Sequence, residues 1–147
     1  MAYAASLLLT LSPGMTGMAS DAALRGVRIL LVEDSDDARD AFDRLLRSEG
    51  AAVVAVGSGA EAAAAVLRER FDVLLTDYGL PDVPGDMLIR QVVASARQRP
   101  HIVVVTGYGQ PYAERARRAG ADLVLTKPVE WLDLLDRLRP YAPRAAA

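Results

Sequence analysis

The chain has 147 residues, of which 52% are apolar and 24% are charged, and its net charge is −2. These values are typical of one globular domain, and they exclude a disordered chain or a strongly basic nucleic-acid-binding protein. Because the chain has no cysteine and only one histidine, His101, disulfide scaffolds, thiol catalysis, Cys-ligated zinc and two-histidine metal sites are excluded too. Of the 17 basic residues only Lys127 is a lysine, which indicates that position 127 needs a compact charge rather than a planar guanidinium.

Residues 1–25 lie outside the regular pattern that follows them. Residues 4–11 are apolar, but no basic residue precedes Arg25 and the run is too short to span a membrane, so neither a secretory leader nor a membrane anchor fits. We predict an N-terminal extension over 1–25. It is either an arm packed on the domain or on a neighbouring molecule, or a disordered segment. The third alternative is that the start is mis-assigned and that translation begins at Met15 or Met18. The domain is predicted over 26–140, followed by a C-terminal tail over 141–147.

Five short apolar runs rich in β-branched residues are predicted to be strands. Each run is continuous rather than alternating, which is typical of strands buried on both faces of a parallel sheet. The predicted strands are 27–32, 52–56, 73–76, 102–106 and 123–126.

Helical patterns fill the intervals between these strands. Ser35 is placed to cap the first helix and Gly50 to end it, and the pair Ser58 and Glu61 has the spacing of a capping box at the start of the second. Breaks at Pro100, Gly120 and Pro140 limit the later helices. The predicted helices lie between Ser35 and Gly50, from Ser58 to about Arg68, and over about 86–97, 111–119 and 130–138.

Strand and helix therefore alternate five times, and right-handed crossovers arrange them as a doubly wound α/β sandwich. The prediction is a flavodoxin-like (βα)5 fold with a five-stranded parallel sheet in the order 2-1-3-4-5. In this fold ligands bind at the carboxyl ends of the strands.

Polar residues follow the predicted strands at that edge. Glu33 and Asp34 come after the first strand, Asp77 after the third, Thr106 ends the fourth and Lys127 follows the fifth. Three carboxylates in one pocket repel one another, and Mg²⁺ held by carboxylates, a backbone carbonyl and waters relieves that repulsion. A hydroxyl and an ammonium opposite the metal would complete a cage for a phosphoryl group, which suits phosphoryl transfer onto a carboxylate.

Four segments that carry these residues resemble the receiver domains of two-component response regulators. They occur in the order and at the spacing that the family has, and the resemblance covers about residues 26–140. The segments are ILLVED at 29–34, LLTDYGLPD at 74–82, VTGY at 105–108 and TKP at 126–128.

The resemblance implies a phosphoacceptor and a magnesium site. Asp77 would accept a phosphoryl group from the phosphohistidine of a sensor kinase or of a histidine phosphotransfer protein. Asp34 would bind Mg²⁺ directly, Glu33 would act partly through water, and the carbonyl of Gly79 would be a further ligand.

The resemblance also implies roles for three residues around the phosphoryl group. Thr106 would donate its hydroxyl to a phosphoryl oxygen. Lys127 would pair with Asp77 and then with the phosphate, and a cis bond before Pro128 would place the lysine beside the site. Gly107 occupies the position where receivers need a small residue to admit the phosphodonor.

One departure from the family pattern concerns the usual switch. Receivers commonly carry Tyr or Phe three residues before the lysine, whereas this chain has Val124, which is too short to swing between buried and exposed positions. The threonine–aromatic switch is therefore not expected here. The Thr-Gly-Tyr-Gly run and the non-aromatic switch position are similar to receivers fused to hybrid sensor kinases.

A second departure is Tyr108, a large residue near the mouth of the predicted site. We hypothesise that Tyr108 screens the acyl phosphate from water. Tyr108→Ala should then shorten the dephosphorylation half-life, and an unchanged half-life would refute the idea.

Three positions have alternative interpretations. His101 is expected to be a surface or structural residue. The exposed face of the fourth helix is expected to carry Arg115 with two further arginines as solvated charges rather than as a patch for an acidic partner. Either Trp131 or Leu132 packs inward, and an exposed Trp131 would mark a docking face.

The predicted function is a phosphorylation-dependent signalling domain that needs Mg²⁺ and catalyses only its own phosphorylation and dephosphorylation. We expect a cytoplasmic protein with an unidentified downstream protein partner, a possible homodimer, and no direct contact with nucleic acid or membrane. Only a short tail follows the last helix, so the chain is either a stand-alone receiver or part of a longer protein.

Two alternatives share the topology. A phosphatase with an aspartate nucleophile would need a second aspartate where this chain has Gly79, and its test is rapid phosphate-ester turnover. A flavin-binding protein would need a phosphate loop where this chain has the acidic run 33–37, and its test is the colour of the purified protein.

Overall fold

The described part of the chain is residues 9–10, 22–107, 109 and 111–143 of a computed structural model, and strand alternates with helix along it. The predicted helices and core strands are present with small shifts at their ends. The elements are β1 Leu9–Thr10, β2 Arg28–Val32, α1 Asp36–Ser48, β3 Ala52–Val56, α2 Gly59–Arg68, β4 Val73–Asp77, α3 Gly85–Ser95, β5 His101–Thr106, α4 Tyr112–Ala119, β6 Leu123–Thr126, β7 Val129–Glu130 and α5 Trp131–Leu138, followed by a 3-10 turn at Arg139–Tyr141.

The main sheet has five parallel strands in the order β3-β2-β4-β5-β6. Counted along the chain, this is the order 2-1-3-4-5, so the predicted fold is confirmed. The register pairs Val32 with Thr76 and Thr106 with Thr126, and Asp77 lies opposite Val105. The carboxyl ends of four neighbouring strands therefore meet at one edge of the sheet.

The sheet separates two apolar layers because successive side chains of a strand point to opposite faces. From β2, Ile29 and Leu31 pack with α1 and α5, whereas Leu30 and Val32 pack with α2, α3 and α4. Trp131 belongs to the first layer and is buried, so Trp131 rather than Leu132 is the residue that packs inward. Leu132, by contrast, is 45% exposed.

Burial on both faces is confirmed for the three central strands but is wrong for the two edge strands. Apart from the exposed first residues Arg28 and His101, every residue of β2, β4 and β5 is buried. In β3 only Val53 is fully buried, and in β6 none of the four residues is. An edge strand has a neighbour on one side only, so the helices cover it less completely.

The helix caps follow the predicted residues. Ser35 Oγ accepts from the Ala38 N–H, and Ser58 Oγ accepts from the Glu61 N–H at 3.2 Å. Gly50, just after α1, has φ +92°, a conformation that glycine adopts without strain. The predicted end of the third helix was two residues too late, because Ala96 already has an extended backbone.

Described residues before β2 also contact the domain. Leu24 is fully buried, and its N–H donates to the Glu49 carbonyl at 2.8 Å, so packing begins before the predicted boundary at 26. Strand β1 pairs in parallel with β7. Residues 1–8, 11–21 and 144–147, which include most of the predicted extension and tail, lie outside the described residues. No described helix is long and apolar enough to cross a membrane.

The loop between β4 and α3 is tied to α2 by Asp82. Its carboxylate accepts from the N–H groups of Gly59 and Ala60 at 3.0 and 2.9 Å, at the positive end of the helix. These two bonds hold the pKa of Asp82 below its ordinary value. The contact therefore ties the loop that carries Gly79 to the first turn of α2.

Asp82→Ala should therefore lower the free energy of unfolding by about 1 kcal/mol, as loss of a helix cap does. Urea unfolding at neutral pH measures the difference, and Asp40→Asn, at an exposed position beyond the first turn of α1, serves as the control and should have little effect. A wild-type unfolding midpoint for Asp82→Ala would show that the two bonds contribute nothing.

Candidate functional site

Three carboxylates meet where β2 and β4 end. One oxygen from each of Glu33, Asp34 and Asp77 lies within 4.8 Å of the others. The two strands are neighbours in the sheet, so the residues that follow them are brought side by side. Glu33 and Asp77 are buried, whereas Asp34 is exposed. The predicted cluster of acidic residues is therefore present.

Lys127 brings the opposite charge into this cluster. Its Nζ lies 3.0 Å from Asp77 Oδ2, and the side chains of the two residues are only 6% and 3% exposed. The backbone N–H of Lys127 donates to the Thr106 carbonyl at 2.8 Å, which fixes the lysine at the end of β5. The Lys127–Pro128 bond is cis, as predicted.

The second oxygen of Asp77 is also engaged. Asp77 Oδ1 accepts from the backbone N–H of Gly79 at 3.0 Å. The carboxylate is thus held in one orientation by a backbone donor on one side and an ammonium on the other. Charge-assisted bonds of this kind are stronger than neutral ones, which makes the orientation well defined.

Glu33 is less well compensated than Asp77. Its Oε1 accepts from the Ser35 N–H at 3.1 Å, while Oε2 is buried and has no hydrogen-bond partner among the described residues. Burial raises the pKa of Glu33 to about 7, and the negative charges of Asp77 and Asp34 act in the same direction. The opposing effects of the Ser35 N–H and of Lys127 are not sufficient to offset burial.

These donors fit a hard divalent cation. A buried carboxylate oxygen without a partner is a group that needs a donor or a cation. Beside it are two further carboxylates, one of them exposed and accessible to water. Carboxylate oxygens completed by waters are the shell that Mg²⁺ prefers.

Thr106 lies at the same edge of the sheet. It ends β5, is almost fully buried, and occupies the position after Val105, which pairs with Asp77. Gly107 follows it in the chain. Among the described residues, a Cβ added at Gly107 would meet the Cδ of Lys127 at 3.8 Å, an ordinary van der Waals distance. The approach to the cluster past Gly107 is therefore open in the described structure.

His101 does not lie at this edge of the sheet. His101 begins β5 at the opposite end of the sheet, where it is exposed and stacks on Tyr141 with ring centroids 4.0 Å apart. This arrangement confirms the expected surface or structural role. Tyr108, the proposed screen against water, lies outside the described residues.

Sequence reasoning missed two residues next to the cluster. Arg39 donates from Nη1 to the carbonyl oxygen of Glu33 at 2.9 Å, so α1 holds the backbone that carries the buried carboxylate. Tyr78, directly after Asp77, is buried, and its ring centroid is 5.6 Å from that of Tyr112. One among 16 arginines carries no local pattern that distinguishes it, but the position of Tyr78 beside Asp77 was a usable indication.

The chain was compared with known proteins. Residues 29–139 match the family described as "Response regulator receiver domain". The sensory/regulatory protein RpfC of Xanthomonas campestris pv. campestris is 34% identical over 125 residues, which are 82% of this chain but only 17% of RpfC. The chain therefore spans a small part of that relative.

Solved structures give the same result. A CheY-like receiver domain from Methanospirillum hungatei JF-1 has a TM-score of 0.72 at 31% identity, covering 78% of this chain and 91% of that one. The receiver domain of sensor histidine kinase PA1611 from Pseudomonas aeruginosa PAO1, solved with a magnesium ion in its active-site cleft, has a TM-score of 0.71 at 31% identity, covering 79% and 97%. The predicted resemblance is confirmed, and the chain belongs to the family of response regulator receiver domains.

Proposed function

We propose that this receiver domain accepts a phosphoryl group on Asp77 from the phosphohistidine of a sensor kinase or of a histidine phosphotransfer protein. The observation that carries the proposal is the buried ion pair between Asp77 and Lys127 next to the unpartnered oxygen of Glu33. A nucleophilic carboxylate, a positive charge beside it and an incomplete cation site are the parts that phosphoryl transfer to aspartate needs.

Mg²⁺ would be held by Glu33, Asp34 and Asp77 with the backbone carbonyl of Gly79 and waters. When bound, it would neutralise charge on the phosphoryl oxygens during transfer. The chain's own contribution is to position the nucleophile. Gly79 N–H and Lys127 hold the Asp77 carboxylate in one orientation, and Arg39 holds the backbone of Glu33.

In the transfer step an oxygen of Asp77 attacks phosphorus, the phosphorus–nitrogen bond to the donor imidazole breaks, and an acyl phosphate forms. Lys127 then pairs with a phosphoryl oxygen, since its stem allows the ammonium to follow the added group. Thr106, buried at the end of β5, donates its hydroxyl to another phosphoryl oxygen. Gly107, which has only a hydrogen as its side chain, leaves space for the phosphodonor.

The phosphatase alternative lacks a catalytic acid. An aspartate-nucleophile phosphatase needs a carboxylic acid two residues after the nucleophile to protonate the leaving group, and this chain has Gly79 there. The flavin alternative would place a phosphate against Glu33 and Asp34, whose charges repel it. The proposed role is thus signalling, with chemistry limited to the domain's own phosphorylation and dephosphorylation.

The proposal includes a cytoplasmic location. It also includes recognition of the phosphorylated domain by a downstream protein partner or by a second copy of the chain. Neither nucleic acid nor a membrane is proposed for this role.

Incubation with acetyl phosphate and Mg²⁺ should add the mass of one phosphoryl group to the wild type. Asp77→Asn should gain none, because the amide nitrogen and oxygen are poor nucleophiles, and EDTA should abolish the gain in the wild type. Intact-mass spectrometry is the measurement, and Asp133→Asn should label like the wild type. A label on Asp77→Asn, or none on the wild type, would refute the proposal.

Removal of the metal should make the stability depend on Glu33. The folded state raises the pKa of Glu33 from 4.5 to about 7, so it binds the proton more tightly than the unfolded state does. The stability of the metal-free wild type should then fall as the pH rises through that interval. Glu33→Gln keeps the shape without the charge, and it should raise the melting temperature in EDTA at pH 8 by a few degrees.

Thermal unfolding followed by circular dichroism at pH 5 and pH 8 tests this prediction. The difference between Glu33→Gln and the wild type should shrink toward pH 5, where Glu33 is protonated. The control is Glu130→Gln, at an exposed position, which should show no such pH dependence. A variant less stable than the wild type at pH 8 would contradict the prediction.

A further inference from the structure

Tyr78 is fixed in position on three sides. Its backbone N–H donates to the Val105 carbonyl at 3.0 Å, which ties it to β5. A Cβ added at Gly85 would lie 2.6 Å from the Tyr78 carbonyl oxygen and 2.9 Å from the ring atom Cδ2, so α3 begins directly against this residue. Asp86, in the first turn of α3, lies close to the Tyr78 phenol, and burial together with the Asp86 charge raises the pKa of that phenol.

The Tyr78 ring also contacts α4. Tyr112, the first residue of α4, presents its ring edge-on at 63° with the centroids 5.6 Å apart. The Arg115 guanidinium lies 5.6 Å from the centroid of the Tyr112 ring, on the same helix. The contact between Tyr78 and Tyr112 therefore connects the residue after Asp77 to the first turn of α4.

Strand β6 offers no aromatic side chain for this purpose. Its residues are Leu123, Val124, Leu125 and Thr126, and Val124 is half-buried against the layer that contains Leu30. A valine has a single stiff χ1 angle and cannot change place with a neighbour as a long planar side chain can. In this chain, an aromatic side chain of β6 is therefore not available to connect the carboxylate cluster to α4.

We propose that Tyr78 is a positioning residue that couples the state of Asp77 to the start of α4 through its ring contact with Tyr112. The inference rests on the proposed function, because the state that changes is the phosphorylation of Asp77. Since β5 and α3 hold the Tyr78 backbone and one ring edge, a displacement of Asp77 reaches α4 by turning or shifting that ring. An edge-to-face pair of this type changes a local opening equilibrium about 2- to 10-fold.

Hydrogen–deuterium exchange of peptides covering α4 in the full chain tests the coupling without phosphorylation. Tyr78→Leu and Tyr112→Leu should each speed exchange about 2- to 10-fold. The double variant should exchange no faster than the faster single variant, because both changes remove one contact. Additive effects would overturn the inference.

The second arm measures the same peptides before and after phosphorylation with acetyl phosphate and Mg²⁺. The wild type should show a change in α4 exchange on phosphorylation, and Tyr112→Leu should lose most of that change while gaining the same mass. Tyr112→Phe, which keeps the ring, should restore it. Tyr141→Leu, which removes a ring at the opposite end of the sheet, should respond like the wild type.

The outcomes separate this inference from the proposed function. A wild type that gains no mass refutes the proposed function, and the inference with it. A wild type that gains mass while Tyr112→Leu keeps the full α4 response overturns the inference alone. Tyr112 is 37% exposed, so its replacement leaves a folded protein to measure even if Tyr78→Leu does not.

Discussion

The ion pair between Asp77 and Lys127 is buried, and the arrangement of the whole carboxyl edge of the sheet depends on how its charge is balanced. Removing carboxylates from water costs free energy unless opposite charges or hydrogen-bond donors compensate it. For Asp77 the compensation is complete, because Lys127 and the Gly79 N–H each bond one oxygen. For Glu33 it is incomplete, since one oxygen has no partner among the described residues. The local charge is therefore balanced around Asp77 and unbalanced beside it at Glu33, which is where a cation would be most strongly stabilised.

This balance requires accurate long-range placement, because the two members of the pair are 50 residues apart in the chain. The parallel register supplies that placement by making β2, β4, β5 and β6 end at one edge. The two apolar layers hold the register, since a slip of one residue would move every core side chain of a strand to the other face. The identity of residue 127 follows from the same constraint. A compact ammonium on a flexible stem fits between a carboxylate and an incoming anion, whereas a guanidinium imposes its own planar geometry.

The sequence was sufficient to predict features that depend on local pattern. The central strands and the helix caps at Ser35 and Ser58 were predicted, because the hydrophobic pattern and the capping residues determine them. The strand order was predicted with the flavodoxin-like fold class, since right-handed crossovers alone permit more than one order. Features that depend on contacts between distant segments were not. The partial burial of β3 and β6 is set by the number of neighbouring strands, and the pairing of β1 with β7 leaves no periodic pattern. The residues of the carboxylate cluster were named because strand ends converge, but the unpartnered oxygen of Glu33 is visible only in the structure.

The residues next to Asp77 differ in how firmly the structure holds them, and this difference determines which part of the domain responds to a change at Asp77. Among the described residues, the Lys127 side chain and the Gly79 N–H bond the Asp77 carboxylate, and Tyr78 follows Asp77 in the chain. Lys127 can follow an added anion by turning about its own stem, whereas Gly79 is exposed, forms a β-bridge with Pro84 and belongs to the loop that Asp82 ties to α2. The Tyr78 backbone is held by β5, which accepts its N–H, and by α3, which begins against it, so the ring is the part of Tyr78 that can turn or shift. A displacement of Asp77 therefore reaches α4 through the Tyr78 ring, which is in contact with Tyr112 at the start of that helix.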